Sequence, residues 1–458
     1  MKELLKNSAT LYQDRLGITP LFVYNRPGDL MAFNRFDRIK QYWPELEIDE
    51  IGMAESFIYE SPLYSRTLFK NIYQVPAGCS IELGPDSKPQ IKRYWNINYS
   101  TKDISKNEFM KQAYERLDSV FSKLNPDRHY ILPLSGGLDS RLMAAFMAKH
   151  LPKDHIHPVT YGYDPRIYEY KYAKQVCKAL GLSEPVFHEL TPETYYRNLK
   201  PFAQKTGGNL GIQHSHLIDY VCNNEHPANL VSSAYSDGVF GFDATKTRDD
   251  GCEYLRMAKG SPVYDAIRND LAPLFNDWRL SSITSLDEYI FLFERHAKLH
   301  FWMTNLLADR VNVVTPFTDP VVYDFYFSMP NKYRYRKQGT VDMMEKYFPE
   351  LRGIKEISSN FFYTGPRTPI RFAHFKAINF LNYLSARFLN DRILINNPFQ
   401  TETQTYNLRT AHRKLLEWAL DHDEFVNMQH INKPRGTATL GYQVINAAYV
   451  LALMRGAV

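Results

Sequence analysis

Hydrophobic positions follow two different patterns along the chain, and the pattern changes near residue 105. Before that point, short apolar runs at 20–25, 30–33 and Cys79–Leu83 are punctuated by Gly, Pro and Asp, which is typical of β-strands. After it, amphipathic helical stretches alternate with short apolar strands. The predicted helices are 107–124, 141–150 and 168–180, and the predicted strands between them are 129–134 and 156–161.

This alternation predicts the fold class. A strand–helix–strand–helix order implies a parallel sheet with right-handed crossovers. After about residue 280 the apolar spacing is mainly helical. We therefore expect an α/β fold: a parallel-sheet domain over 106–458 with a helical C-terminal part, preceded by a small β-rich domain over 1–105. A chain of 458 residues is also long enough for two cores.

The segment with the clearest chemistry follows the strand at 129–134. Two glycines and a polar turn open the next helix there, in the order Ser135, Gly136, Gly137, Leu138, Asp139, Ser140. Glycine leaves room for a ligand against the main chain, and the amide groups at a helix start attract anions. The sequence therefore predicts a phosphate-sized cradle with two hydroxyl donors. It lacks the GxxxxGK[ST] pattern of a Walker A loop. The alternative is a plain turn in which Asp139 caps the helix.

Composition narrows the class of protein. Net charge is +5, from 55 basic and 50 acidic residues with no basic tail, so a nucleic-acid partner is not expected. Four scattered cysteines suggest neither a zinc site nor a disulfide framework, and they predict a cytoplasmic protein with reduced thiols. No signal peptide is evident. The longest apolar segment, 444–454, is too short to span a bilayer and is predicted to be a buried helix.

The SGGLDS motif at 135–140 resembles the pyrophosphate loop of the asparagine synthetase family and its N-type ATP pyrophosphatase relatives. The resemblance implies a HUP-like ATP pyrophosphatase fold, with ATP and Mg²⁺ as cofactors. It implies that Asp139 helps to hold the magnesium that accompanies pyrophosphate. The sugar and base of ATP are then expected at the strand ends near Pro133 and Ser232.

Two further segments resemble the same family. Residues 229–243, NLVSSAYSDGVFGFD, are similar to SGEGADELFGGY, with Ser232 and Asp237 in register, which implies that Asp237 is the second magnesium ligand. The alternative for Asp237 is an ordinary turn residue beside Gly238. Residues 309–319, DRVNVVTPFTD, resemble a scaffold segment, and Asp319 is predicted to be a helix N-cap rather than a catalytic residue.

The N-terminal part resembles the second half of the family's class II glutaminase domain, through DRLGITPLFVY at 14–24, VPAG at 75–78 and Tyr94–Trp95. The family's nucleophile is a cysteine directly after the initiator Met, whereas this chain has Lys2. Nucleophilic catalysis needs an activated thiol beside a base. We therefore expect 1–105 to be a truncated, degenerate domain without glutaminase activity.

Two positions depart from the family pattern, and one lysine and one basic cluster are harder to assign. Ala234 and Gly238 replace two glutamates that lie near the acceptor substrate in relatives. Lys355 is the candidate for a lysine that stabilises charge during amide formation. The basic cluster Lys332, Arg334, Arg336 and Lys337 is predicted to be a solvated loop.

The resemblance implies an AMP-forming ligase that adenylates a carboxylate and then forms an amide. The amine could be free ammonia, ammonia from a separate donor protein, or an amino group of a larger substrate. Lasso-peptide cyclases and β-lactam synthetases are relatives that use an intramolecular amine and have lost glutaminase chemistry, and homologues that amidate surface sugars are an equal possibility. A tRNA-modifying ATP pyrophosphatase and a nucleotide-binding pseudoenzyme remain open as alternatives, and the sequence does not identify the carboxylate.

Overall fold

The computed structural model describes residues 2–355 apart from 6–8, 27–28, 84–88, 212–214, 226, 246 and 301–304, together with a few helical residues between 373 and 384. The helix predicted at 444–454 lies outside these described residues. No helix in the described part of the chain has both the length and the hydrophobicity needed to cross a bilayer.

The first hundred residues form two antiparallel sheets, as their apolar pattern predicts. One sheet has the order β1-β4-β3-β5 and the other β2-β6-β7. The strands are β1 (Lys2–Leu5), β2 (Ala9–Tyr12), β3 (Phe22–Arg26), β4 (Asp29–Phe33), β5 (Ile72–Gln74), β6 (Cys79–Leu83) and β7 (Gln90–Arg93). The sequence analysis missed a 3₁₀ segment at Phe36–Glu45 and helix α1 (Glu50–Tyr59). The domain boundary at residue 105 stays a prediction.

The predicted parallel sheet is confirmed. Five strands pair in parallel in the order β10-β9-β8-β11-β12, and helices connect them. The strands are β8 (Tyr130–Pro133), β9 (Ile156–Gly162), β10 (Val186–Glu189), β11 (Asn229–Val231) and β12 (Asn312–Val314). The helices before β11 are α2 (Lys106–Phe121), α3 (Leu138–His150), α4 (Tyr168–Leu180), α5 (Pro192–Thr206) and α6 (His216–Asn223).

Helix α4 shows how the apolar spacing creates this packing. Its buried side chains are Tyr172, Ala173, Val176, Cys177 and Leu180, which recur at helical intervals, while the lysines between them face away. The helix ends at Gly181, whose φ of +67° suits glycine. The buried stripe places α4 directly behind the loop that follows β8.

The strand order identifies where a ligand can bind. From β8 the chain proceeds to β9 and β10 on one side, then crosses to β11 and β12 on the other. The order therefore reverses between β8 and β11. In open α/β sheets, ligands bind at such a switch point, outside the carboxyl ends of the strands. The loops after β8 and β11 flank this crevice.

The described part after β11 is mainly helical, including the part after about residue 280 for which helices were predicted. Its helices are α7 (Ser236–Phe240), α8 (Glu253–Ala258), α9 (Tyr264–Arg279), α10 (Leu286–Ile290), α11 (Pro320–Phe327), α12 (Asn331–Arg334) and α13 (Gln338–Tyr347), with a π-helix at Phe291–His300. Asp319 caps α11 by accepting a hydrogen bond from the Val321 amide at 2.9 Å, which confirms its predicted role.

Candidate active site

The loop after β8 depends on a glycine at its second position. Gly136 has a φ of +72°, which is unfavourable for residues that carry a Cβ. A Cβ there would also lie 2.7 Å from the Cβ of Tyr172 and 2.9 Å from the backbone nitrogen of Ala173. The loop thus packs against α4 so closely that only glycine fits at this position. This contact fixes the position of the loop relative to the sheet.

The loop leads directly into helix α3 without a side-chain cap. The residue before the helix is Gly137, and the described residues show no side-chain cap hydrogen bond at this position. The hydroxyls of Ser135 and Ser140 lie 3.0 Å apart, and the Gly137 amide donates to Ser135 Oγ at 3.2 Å. Asp139 lies inside the first turn of α3, so the alternative in which it caps this helix is excluded. An uncapped helix start with two hydroxyls beside it is suited to an anion.

We predict that Gly136→Ala will lower stability and weaken nucleotide binding. The added methyl group forces a left-handed backbone strain and a clash with α4, together at least about 2 kcal/mol. Gly137→Ala is the matched control, because its φ is −71° and its nearest neighbour is Ser135 Oγ at 3.2 Å. Thermal unfolding and ATP titration of both variants check this prediction. Equal effects at the two positions would contradict it.

The loop after β11 places Asp237 close to the loop after β8. After β11, Tyr235 adopts a φ of +71°, a conformation that costs a non-glycine residue about 1–2 kcal/mol. This turn starts the short helix α7. Arg334 holds that helix from behind: it donates to the carbonyls of Gly238 at 3.0 Å and Val239 at 3.3 Å. It also pairs with Glu288 at 2.5 Å, and both side chains are almost fully buried.

Lys337 joins the two predicted metal ligands. Its Nζ atom donates a hydrogen bond to Asp139 Oδ2 at 2.6 Å and another to Asp237 Oδ1. The Ser236 hydroxyl donates to the same Asp139 oxygen at 2.8 Å. Residues separated by about a hundred positions along the chain therefore converge at the switch point between β8 and β11.

The solvated-loop prediction for the basic cluster is wrong for two of its four members. Lys332 and Arg336 are exposed, but Arg334 and Lys337 are buried. The physical reason is a tight turn: Arg336 and Lys337 have φ values of 48° and 58°, which direct the Lys337 side chain inward. Charge pattern alone does not reveal such a turn. Lys337 is thus the site residue that the sequence analysis missed.

The three charges perturb one another. Burial raises the pKa of Asp139 to about 6, against the opposing effect of the Lys337 ammonium. Burial also acts to raise the pKa of Asp237, but Lys337 outweighs it and holds that pKa below its ordinary value. The two carboxyls also differ in their charged neighbours, because Asp237 acts to raise the pKa of Asp139, whereas His296 acts to lower the pKa of Asp237. The two carboxylates in turn raise the pKa of Lys337.

The residues present fit a magnesium ion. Asp139 Oδ1 is buried and has no hydrogen-bond partner among the described residues, and it belongs to the carboxylate nearest the loop. Mg²⁺ is usually held by one or two carboxylates with water and substrate phosphates supplying the remaining ligands. The described residues contain no group of three or more His, Cys, Asp or Glu that could hold a metal alone. Asp139 and Asp237 meet the two-carboxylate requirement.

The remaining predicted residues lie close to the loop. Arg141 donates to the carbonyls of Gly136 at 2.6 Å and Lys355 at 3.0 Å, so one guanidinium ties the phosphate loop to the exposed Lys355. Pro133 ends β8, and Ser232 follows β11, the neighbouring strand. The roles of Pro133, Ser232 and Lys355 in binding or catalysis stay predictions.

Comparison with known proteins identifies the domain. Residues 116–223 match the asparagine synthase family. Over these residues the chain is similar to the asparagine synthase family. It is also 28% identical, over 157 residues, to asparagine synthetase (glutamine-hydrolyzing) 3 of Bacillus subtilis (strain 168). That match covers 33% of this chain and 25% of the relative, so the chain spans about a quarter of the protein it matches.

The matched asparagine synthase region contains the phosphate loop and Asp139. The match confirms the predicted resemblance to the asparagine synthetase family and the predicted ATP pyrophosphatase type of fold. Asp237, Lys337 and Lys355 lie beyond residue 223 and outside the match. Their assignment to the site therefore rests on the contacts described above.

Proposed function

We propose that this protein is an ATP-dependent, AMP-forming carbon–nitrogen ligase that adenylates a substrate carboxylate and joins it to an amine. The observation that carries the proposal is the convergence of Asp139, Asp237 and Lys337 beside an uncapped phosphate loop. A site with two carboxylates and a buried ammonium is suited to Mg²⁺ and polyphosphate together. The asparagine synthase domain supports the same reaction class.

In the first step, the loop and Lys337 act on the departing pyrophosphate. The amides at the start of α3 and the hydroxyls of Ser135 and Ser140 would bind its oxygens. Asp139 and Asp237 would hold Mg²⁺, which neutralises charge on the leaving group when bound. Lys337 would supply a fixed positive charge at the same point, in a site from which water is largely excluded. The substrate carboxylate would attack the α-phosphate.

In the second step, an amine would attack the acyl carbon of the adenylate held in the same crevice, so that the amide forms as AMP departs and the nitrogen loses a proton. Holding both reactants together makes the reaction nearly unimolecular. Lys355, tied to the loop through Arg141, is the residue that we propose stabilises the developing charge. The amine would be ammonia, ammonia from a partner protein, or an amino group of a larger substrate.

The described cysteines support an external nitrogen source. Cys79 lies in the glutaminase-like region, but it is fully buried, and burial raises the pKa of its thiol to about 11. A protonated, buried thiol is a poor nucleophile. We therefore propose that the protein does not hydrolyse glutamine. We also propose that the reaction takes place in the cytoplasm, which the free cysteines of the described residues support.

Exchange of labelled pyrophosphate into ATP tests the proposal. We expect exchange that requires Mg²⁺ and a carboxylate, and no release of glutamate when glutamine is supplied. ATP binding without exchange across candidate carboxylates would favour a nucleotide-binding pseudoenzyme instead. Exchange that required tRNA would favour a modifying enzyme.

A further inference from the structure

The helix that carries Asp237 rests against the π-helix at Phe291–His300. A Cβ on Gly238 would lie 2.5 Å from Leu292 Cδ2 and 3.1 Å from His296 Cδ2. His296 is fully buried, and its ring packs edge-on to Tyr235 with 5.1 Å between centroids. Only glycine allows so close an approach. A shift of the π-helix would therefore move α7 and with it Asp237.

The same π-helix holds residues 62–64 of the N-terminal part through a buried ion pair. Glu294 and Lys298 lie 2.8 Å apart, with side chains 2% and 4% exposed. Glu294 accepts a hydrogen bond from the Tyr64 amide at 2.9 Å. Lys298 donates one to the Pro62 carbonyl at 2.6 Å. Each of the two charged side chains therefore forms a hydrogen bond with the backbone of the loop at 62–64.

Stability alone does not account for this arrangement. Burying two charges carries a large desolvation cost, so a well-packed apolar pair is often equally stable or more stable. The ion pair contributes a positional constraint instead, because its hydrogen bonds to the backbone fix the position of the π-helix relative to residues 62–64. π-helical turns occur frequently at functional sites.

We propose that Glu294 and Lys298 are positioning residues for Asp237. They couple the loop at 62–64 through the π-helix to α7, so the glutaminase-like region completes the metal-binding pair although it lacks a nucleophile. This inference rests on the proposed function, since it concerns the Mg²⁺–pyrophosphate site. It assigns the N-terminal region a role in the synthetase reaction itself.

Calorimetric titration of magnesium pyrophosphate into the full chain tests the inference. Glu294→Gln is expected to weaken binding about fivefold or more, which corresponds to a coupling of about 1 kcal/mol. Asp270→Asn is the matched control. It removes the charge that pairs Asp270 with Arg66 at 2.8 Å. That ion pair joins the same N-terminal region to α9 and not to the π-helix. Its binding is expected to stay within about twofold of wild type.

The double variant Glu294→Leu, Lys298→Met separates positioning from stability. It removes both charges and leaves neither buried alone, so its melting temperature is expected to fall only by the effect of two lost backbone hydrogen bonds. Its affinity for magnesium pyrophosphate should still fall, because the contacts with residues 62–64 are lost. Unchanged affinity in both π-helix variants would overturn the inference while leaving the proposed function in place. Failure of the wild-type protein to bind magnesium pyrophosphate would overturn both.

Discussion

Asp139→Asn and Asp237→Asn are each expected to lower ATP turnover about 10³-fold or more while the protein remains folded. Either change removes one of two carboxylates that meet at Lys337 beside the phosphate loop. The asparagine amide that replaces the carboxylate is neutral and is a weaker ligand for Mg²⁺. Initial rates with ATP, with circular dichroism to confirm folding, measure the effect. Adenosine binding should survive better than ATP binding.

The double variant is expected to be little worse than either single variant. Two ligands of one Mg²⁺–pyrophosphate unit act as a single device, so their losses do not add. Asp319→Asn is the control, because this carboxylate caps α11 and pairs with Lys123, away from the candidate site. It should cost less than about 0.5 kcal/mol of stability, because Asn is as good an N-cap as Asp, and it should not lower turnover. Full activity in Asp237→Asn would refute the register that we drew for residues 229–243.

Lys337→Met is expected to lower stability by about 3 kcal/mol at pH 7 when Mg²⁺ is absent. Removing the ammonium leaves the carboxylates of Asp139 and Asp237 facing each other in a largely buried site. The pKa of Asp139 is already raised to about 6, and losing Lys337 would raise it further. A carboxyl whose pKa is raised by folding stabilises less as pH increases, so lowering the pH from 7 to 5 should restore part of the loss.

Chemical denaturation at both pH values, with and without Mg²⁺, measures this effect. Added Mg²⁺ should also restore stability, since it takes over the role of the missing cation. Lys332→Met is the control, because Lys332 is an exposed lysine of the same basic cluster. Its stability should change by less than about 0.5 kcal/mol. If Lys337→Met were as stable as this control at pH 7, the central place given to Lys337 would be wrong.

The local features of the fold could be predicted because their causes are local. The alternation of helical and strand spacing from residue 107 onward is confirmed by the five-stranded parallel sheet. The glycines at 136 and 137 marked the loop because a strand that ends in such a turn leaves amides available to an anion. Asp319 was predicted to be a helix N-cap, and it caps α11.

Features that depend on distant contacts could not be predicted. Lys337 reaches Asp139 only because two consecutive residues adopt positive φ values after α12. Arg334 is buried because Glu288 and the backbone of α7 surround it, although it belongs to a basic cluster in the sequence. The pairing of Glu294 and Lys298 with residues 62–64 links positions more than two hundred residues apart. No spacing rule connects such positions.

The identity of the bond broken in ATP tests the central claim most directly. The purified protein should be incubated with Mg²⁺, α-labelled ATP, an amine and a panel of carboxylates, and the products separated. We predict labelled AMP, with an equal amount of pyrophosphate, when the correct carboxylate is present, and none in Asp139→Asn. Labelled ADP with orthophosphate as the main products would contradict the assignment of this site as a pyrophosphate loop.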